Sequence, residues 1–300
     1  MTDDRLTLLI TPGPSGAAWR QAVSARAAGM GLPVFDVDPD GLPDGQPGVF
    51  FASDHRALAL ATGHRTVLAD TTAVASLDPS MPATSDDLIA RSRSLVEADA
   101  AARLGVSVLN TARYQLTLPI LGLVERPEGE RYLIHPLAAA SPLSMFDTLP
   151  VPPGAEAAWA PHWFAFAPGA EPSDGGPWID LTGRMRAIVY GPYIHLPPGR
   201  WRADVRFSVD PERAHVPLLF EWGSGAEFCR IMTEVHHSGS YSISLDRIWP
   251  EAGAAQLRIW NAHPVFQGRM TFDHCRVVRI AEDDPSPPTP IDRIVTAGRI

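Results

Sequence analysis

The chain has 300 residues, 45% of them hydrophobic and 20% charged, a globular composition rather than a disordered one. A net charge of −9 and a pI near 5.5, with no Arg-dense face, argue against a nucleic-acid binder, whose affinity for polyphosphate needs concentrated positive charge. All 25 basic residues are Arg, so Schiff-base and Walker-type lysine chemistry is excluded.

The N-terminus runs into an apolar stretch of five residues, Leu6 to Ile10, before Pro12. No segment approaches the roughly 18 apolar residues of a membrane span, so the expectation is a soluble cytoplasmic protein without a signal peptide. Residues 5–110 then alternate strand and helix signals. Leu6–Ile10, Pro33–Asp38, Gly48–Ala52, Arg65–Asp70 and Val106–Asn110 are short apolar runs. Helix formers fill Ala17 to Met30 and the stretch up to about Leu104, and Asp54 and Thr84-Ser85-Asp86-Asp87 carry N-cap signals. Apolar strands alternating with helices predict a small, doubly wound parallel-sheet domain of Rossmann-like or flavodoxin-like type, residues 1–112.

Thr11-Pro12-Gly13-Pro14-Ser15-Gly16 sits where a phosphate loop would, between the first strand and the first helix. Gly13, Ser15 and Gly16, with Asp36 at the end of the second strand for a ribose, are the candidate nucleotide-binding residues. The motif is neither GxGxxG nor GxxxxGK[ST], and its prolines remove donors that a phosphate cradle needs. A plain strand-to-helix turn is the simpler reading. Ser53-Asp54-His55 resembles a catalytic cluster only by residue type, and Asp54 is better explained as a helix cap.

Residues 113–176 read as a connecting region packed on the domains. Tyr114–Val124 fits a strand or a short helix, and Tyr132–Pro136 is expected to be extended. The stretch Leu149–Gly176 carries Trp159, Trp163, Phe164 and Phe166, too many aromatics for a free linker, with an edge strand expected at Trp163–Ala167.

From Arg186 to Ile280 the pattern changes to period two. Arg202–Val209, Arg230–Val235, Tyr241–Leu245 and Gln256–Trp260 alternate polar and apolar residues between Gly-, Pro-, Asp- and Ser-rich turns, which predicts a β-sandwich or barrel over residues 177–281. Tyr190-Gly191-Pro192-Tyr193-Ile194, the turn Leu196-Pro197-Pro198-Gly199, Trp201, the late Leu257-Arg258-Ile259-Trp260 and the terminal strand Met270–Val278 form one pattern. It resembles galactose-binding-like jelly rolls, common among carbohydrate-binding modules and accessory domains of bacterial surface-polysaccharide proteins. The resemblance covers about a third of the chain and rests on turn, edge and core positions. It implies a jelly-roll fold and a glycan or glycosylated partner.

Alternation itself nominates a surface. With Leu218, Phe220, Trp222, Ile231, Val235, Leu257 and Ile259 facing the core, Glu221, Arg230, Glu234, Arg258 and Trp260 share the outer face of one sheet. An aromatic plate beside carboxylate and guanidinium groups suits a sugar, whose apolar face stacks while its hydroxyls take fork-like hydrogen bonds. The simpler alternative is a solvated face laced with Arg–Glu pairs, or one covered by another surface. Glu221 and Glu234 as a glycosidase pair has no further support. His236-His237, with His195, His215, His263 and His274, invites a metal reading, but adjacent His236 and His237 point to opposite faces of a strand and would not share an ion. Structural or exposed histidines and no metal site are therefore expected, with Ca²⁺ the one cofactor entertained. Cys229 and Cys275, both in the β-rich region, could pair as a disulfide on neighbouring strands, but buried free thiols of a reducing compartment are the simpler reading, and no CxxC or Cys/His cluster has zinc spacing. Residues 282–300 are a Pro-rich tail. The expectation is a non-catalytic glycan-binding protein. The alternatives are a transferase or hydrolase acting on a sugar or sugar nucleotide, and a self-assembling protein that forms a homo-oligomer.

Overall fold

The computed structural model describes residues 4–13, 15–41, 46–70, 84–126, 141–168, 178–212 and 215–282. The chain forms two compact units, residues 1–138 with 146–151, and residues 139–145 with 152–300. The interval 113–176 is divided between them. The extended stretch expected at Tyr132–Pro136 and the tail from residue 283 lie outside the described residues.

The first unit opens with β1 (Arg5–Ile10), α1 (Gly16–Gly29), β2 (Val34–Val37), β3 (Gly48–Ala52), α2 (His55–Leu60), β4 (His64–Ala69), α3 (Ser85–Arg103) and β5 (Ser107–Asn110). The five strands are parallel, in the order β2-β3-β1-β4-β5. The central strands β1, β3 and β4 are mostly apolar and buried because both their faces are covered, whereas β2 and β5 at the edges are partly exposed. Leu6 and Leu8 pack with Trp19, Val23 and Ala27 of α1 in one cluster. Leu9 and Val67 pack with Ala57 and Leu58 of α2 and Ala98 and Ala101 of α3 in another. The strand order matches neither the Rossmann nor the flavodoxin arrangement. The span 38–47 between β2 and β3 is rich in Pro, Asp and Gly, all poor helix formers, and β3 rather than β2 lies beside β1.

Local signals in the sequence act as their chemistry predicts. Asp54 caps α2 by accepting from the backbone N–H groups of Arg56 and Ala57. Thr84 and Asp87 form a reciprocal capping box at α3. The stretch 114–124 is a hairpin of β6 (Gln115–Leu118) and β7 (Gly122–Glu125). Its Leu116, Leu118, Leu121 and Val124 join the α1 core, and Arg26 Nε donates to the carbonyl of Leu121 at 3.0 Å. Asp99, fully buried in α3, is satisfied by Arg103 and by the backbone N–H of Val151 at 2.6 Å.

The second unit contains β8 (Glu156–Trp159), β9 (Ala165–Phe166), β10 (Trp178–Asp180), β11 (Arg186–Leu196), β12 (Gly199–Asp210), β13 (Val216–Ser224), β14 (Glu227–Val235), β15 (Gly239–Trp249), β16 (Gly253–Asn261) and β17 (Arg269–Ile280). It is an antiparallel sandwich. One sheet runs β10-β17-β12-β15, with β8 also on β17, and the other runs β14-β13-β16-β11-β9. From β11 to β17 every connection except the β13–β14 hairpin passes to the other sheet, as in a jelly roll. Alternation assigns the inward faces: Trp201, Val205 and Phe207 of β12 oppose Leu218, Phe220 and Trp222 of β13, all fully buried. The rings of Phe207 and Phe220 lie 5.0 Å apart, and Trp222 packs on Trp159 at 5.7 Å and Trp249 at 5.1 Å. The Leu196–Gly199 turn is fastened by the Trp201 indole, which donates to the carbonyl of Pro197 at 3.0 Å.

These environments set different costs for two truncations. Phe220→Ala, which empties a site between the sheets, is expected to lower stability by about 3–5 kcal/mol. Thr84→Ala, which removes one cap, is expected to cost about 1 kcal/mol. Urea denaturation of the two variants checks the ranking.

Candidate functional site

The antiparallel register of three strands builds the site. On β13, Glu221 stands opposite Arg230 of β14 on one side and Arg258 of β16 on the other. Because Phe220 and Trp222 point into the core, Glu221 points out. Yet it is only 5% exposed, covered by its neighbours on the outer face rather than by the core. Arg230 Nε donates to Glu221 Oε1 at 2.7 Å and the Trp260 indole donates to Oε2 at 2.8 Å, while Arg258 Nη1 lies 3.8 Å from Oε2. Both carboxylate oxygens are thus engaged by charge-assisted or indole hydrogen bonds.

The chain of contacts continues across the sheet. Arg258 Nη2 donates to Gln256 Oε1 at 2.7 Å, and Gln256 Nε2 donates to the hydroxyl of Tyr193 at 2.8 Å. The Arg258 guanidinium lies over the Phe228 ring at 4.1 Å, which fixes its plane. Tyr193 is exposed at the positive φ of 67° and projects beside this row from β11. The result is an outward face on which the half-buried Trp260 and Phe228 and the exposed Tyr193 flank a line of alternating donors and acceptors. Such a face can stack an apolar ring surface and hydrogen-bond vicinal hydroxyls. Alternation also turns Gln256 outward without singling it out, and it nominates neither Phe228 nor Tyr193. The strand pairing that adds Phe228 follows from the short Gly225 turn, whereas Tyr193 depends on a register shift between Pro192 and Ile194 that alternation does not reveal.

Four of the five residues nominated by alternation therefore meet: Glu221, Arg230, Arg258 and Trp260. Glu234 does not. It pairs with Pro217, four residues from Glu221 along β13, or roughly 13 Å at strand rise. That spacing exceeds the roughly 5–10 Å separating the carboxyls of a glycosidase, and so disfavours the Glu221–Glu234 hydrolytic pair. Glu234 instead approaches His236, whose Nε2 lies 3.7 Å away, and His236 Nδ1 lies 2.5 Å from Nδ1 of His215. His237 stays outside this group.

In the first unit, Gly13 and Gly16 form a tight turn, with the N–H of Gly16 donating to the carbonyl of Gly13 at 3.1 Å, and Ser15 is buried at the start of α1. The Asp36 carboxylate is ion-paired with Arg20 of α1. His55 Nδ1 lies 2.6 Å from Glu97, and Asp54 serves as a cap, so the Ser53–His55 stretch is assembled as a helix start.

A separate cleft of about 360 Å³ lies on the outer face of the other sheet, lined by Trp178, Ser208, Asp210, Ser240, Arg269 and Thr271. Arg269 sits over the Trp178 ring at 5.1 Å, and the Ser238 hydroxyl, donating to Asp210, holds that carboxyl below its usual range. Cys229 and Cys275 are free thiols. Burial pushes Cys229 up to about 11 and pushes Cys275 up as well, so neither is an activated nucleophile.

No family model and no curated protein matches the sequence. Solved structures similar to part of the chain include TmCBM61 in complex with β-1,4-galactotriose, at 12% identity and a TM-score of 0.27, covering 41% of this chain and 88% of that one. Another is the C-terminal CBM6 of LamC, a marine laminarinase from Zobellia galactanivorans, at 14% identity and 0.28, covering 41% and 99%. A third is the CBM22-1 xylan-binding domain from Paenibacillus barcinonensis, at 8% identity and 0.28, covering 43% and 97%. Scores this low do not establish a shared fold, and the sandwich rests on its own strand order and register. Among the described residues no helix is long and apolar enough to cross a membrane.

The raised thiol of Cys229 has a pH consequence. A folded-state value above the unfolded one contributes stability that is complete below about 9 and is lost as pH rises through about 11. Thermal melts between pH 8 and 11.5 are expected to show a decline that is shallower in Cys229→Ala than in the parent chain.

Proposed function

We propose that this chain is a non-catalytic glycan-binding protein whose sugar lies on the outer face of the β13–β14–β16 sheet, and that it serves bacterial surface-polysaccharide production. The observation that carries the reading is the Glu221 carboxylate, held on an outward face by Arg230 and the Trp260 indole. A carboxylate shielded in this way keeps Arg230, Arg258 and Trp260 in fixed positions before any ligand arrives, and preorganised groups lose less entropy on binding. Trp260 and Tyr193 supply ring surface. Arg258 supplies a planar fork locked by Phe228 and Gln256. Sugars match this mixture because each pyranose has an apolar face and an equatorial rim of hydroxyls.

The test is a screen of the full chain against immobilised bacterial polysaccharides and their oligosaccharides, followed by titration calorimetry on the best binder. Trp260→Ala is expected to weaken binding about 10- to 100-fold, and Arg258→Met by about 10-fold, with Trp178→Ala in the opposite cleft unchanged. Thermal melts of each variant separate a lost contact from a lost fold. Absence of any glycan binding, or full binding by folded Trp260→Ala and Arg258→Met, would falsify the proposal.

A further inference from the structure

The β13–β14 hairpin opens at the end opposite its turn, where Val216 and Val235 form the last pair of the ladder. The next positions outward are His215 and His236, which face each other across the gap. Glu234 is the penultimate residue of β14, and its carboxylate lies 3.7 Å from His236 Nε2, just past the strand end. All three side chains are exposed. The imidazole rings meet edge to face with centroids 4.5 Å apart, and one ligand atom from each of the three residues lies within 4.8 Å of the other two.

We propose that His215, Glu234 and His236 form a binding site for a divalent transition-metal ion of the Zn²⁺ class. The two Nδ1 atoms lie 2.5 Å apart with the Glu234 carboxylate beside His236, so a small turn of the exposed rings brings two imidazoles and a carboxylate around one point. A metal ion fits once the two exposed rings turn apart enough to accept Zn–N bonds of about 2.0–2.1 Å. The donor set decides the class of ion. Two imidazoles and one carboxylate suit Zn²⁺, Cu²⁺ or Ni²⁺, whereas Ca²⁺ and Mg²⁺ need a cage of oxygens that is not offered here.

Three protein ligands leave a coordination position open to solvent, and an ion bound there ties β13 to β14 at their unpaired end. Its effect on the fold is mass action: an ion that binds the folded hairpin and not the unfolded chain raises the melting temperature. The site shares its sheet face with the Glu221 row but uses none of that row's residues. It does not depend on the glycan reading. His237, the neighbour of His236 in sequence, lies outside this group. The second imidazole comes instead from His215, 21 positions before His236 and brought opposite it only by the strand register.

The test uses the full chain without an affinity tag, stripped with a chelator and titrated with ZnCl₂ by calorimetry, with Co²⁺ as a spectroscopic stand-in. One equivalent of Zn²⁺ is expected to bind saturably and to raise the melting temperature, and Co²⁺ is expected to give visible absorption bands. His215→Ala and His236→Ala each weaken the affinity at least about 10-fold, while His237→Ala binds as the parent does. These side chains are exposed, so the variants retain the parent melting temperature in chelator. Lack of saturable Zn²⁺ binding overturns the proposal, as does binding that survives both His215→Ala and His236→Ala.

Discussion

The register of β13 between β14 and β16 is the constraint on which the second unit depends. Glu221 is opposite Arg230 on one side and Arg258 on the other only in this pairing. A slip of one residue would carry the carboxylate toward the core and turn Phe220 and Trp222 to solvent. The same register that fills the space between the sheets with Trp222, Phe220 and Leu218 therefore aligns the charged row outside it. Core and face are two readings of one alignment, so the row is as firmly placed as the aromatic packing beneath it.

Electrostatics on that face follow from who covers whom. Glu221 is shielded by Arg230 and Trp260, and Arg258 is braced by Phe228 and Gln256. A carboxylate so enclosed keeps its partners ordered, which a pair of fully solvated side chains would not do. A similar motif recurs on the other sheet, where Asp246, 6% exposed, accepts from both Arg200 and Arg202. Among the described residues no aromatic ring there hydrogen-bonds the carboxylate, which separates a cross-strand brace from a face with stacking surface.

Much of this was legible in the residues. Period-two alternation identifies Leu218, Phe220 and Trp222 as inward and Glu221 as outward, because a strand has only two faces. Cap residues such as Asp54 and Thr84 announce helix starts through their own side-chain chemistry. What alternation does not carry is which strand lies beside which. Glu234 has the right parity to join Glu221, yet it sits four positions away along β13. His215 comes opposite His236 only through the pairing of β13 with β14, to which nothing local in the sequence points. The strand order of the first sheet was hidden for the same reason, since β3 rather than β2 lies beside β1. Parity is local, whereas strand order and register depend on the whole chain.

The central claim is that a sugar contacts Trp260. The eight tryptophans give eight indole N–H signals, and Trp260→Phe identifies the one that belongs to this site. In a ¹H–¹⁵N spectrum of the full chain, titration with an oligosaccharide it binds is predicted to move the Trp260 indole signal in proportion to saturation. A Trp260 signal that stays in place while the Trp178 signal moves would contradict the account and put the sugar in the opposite cleft.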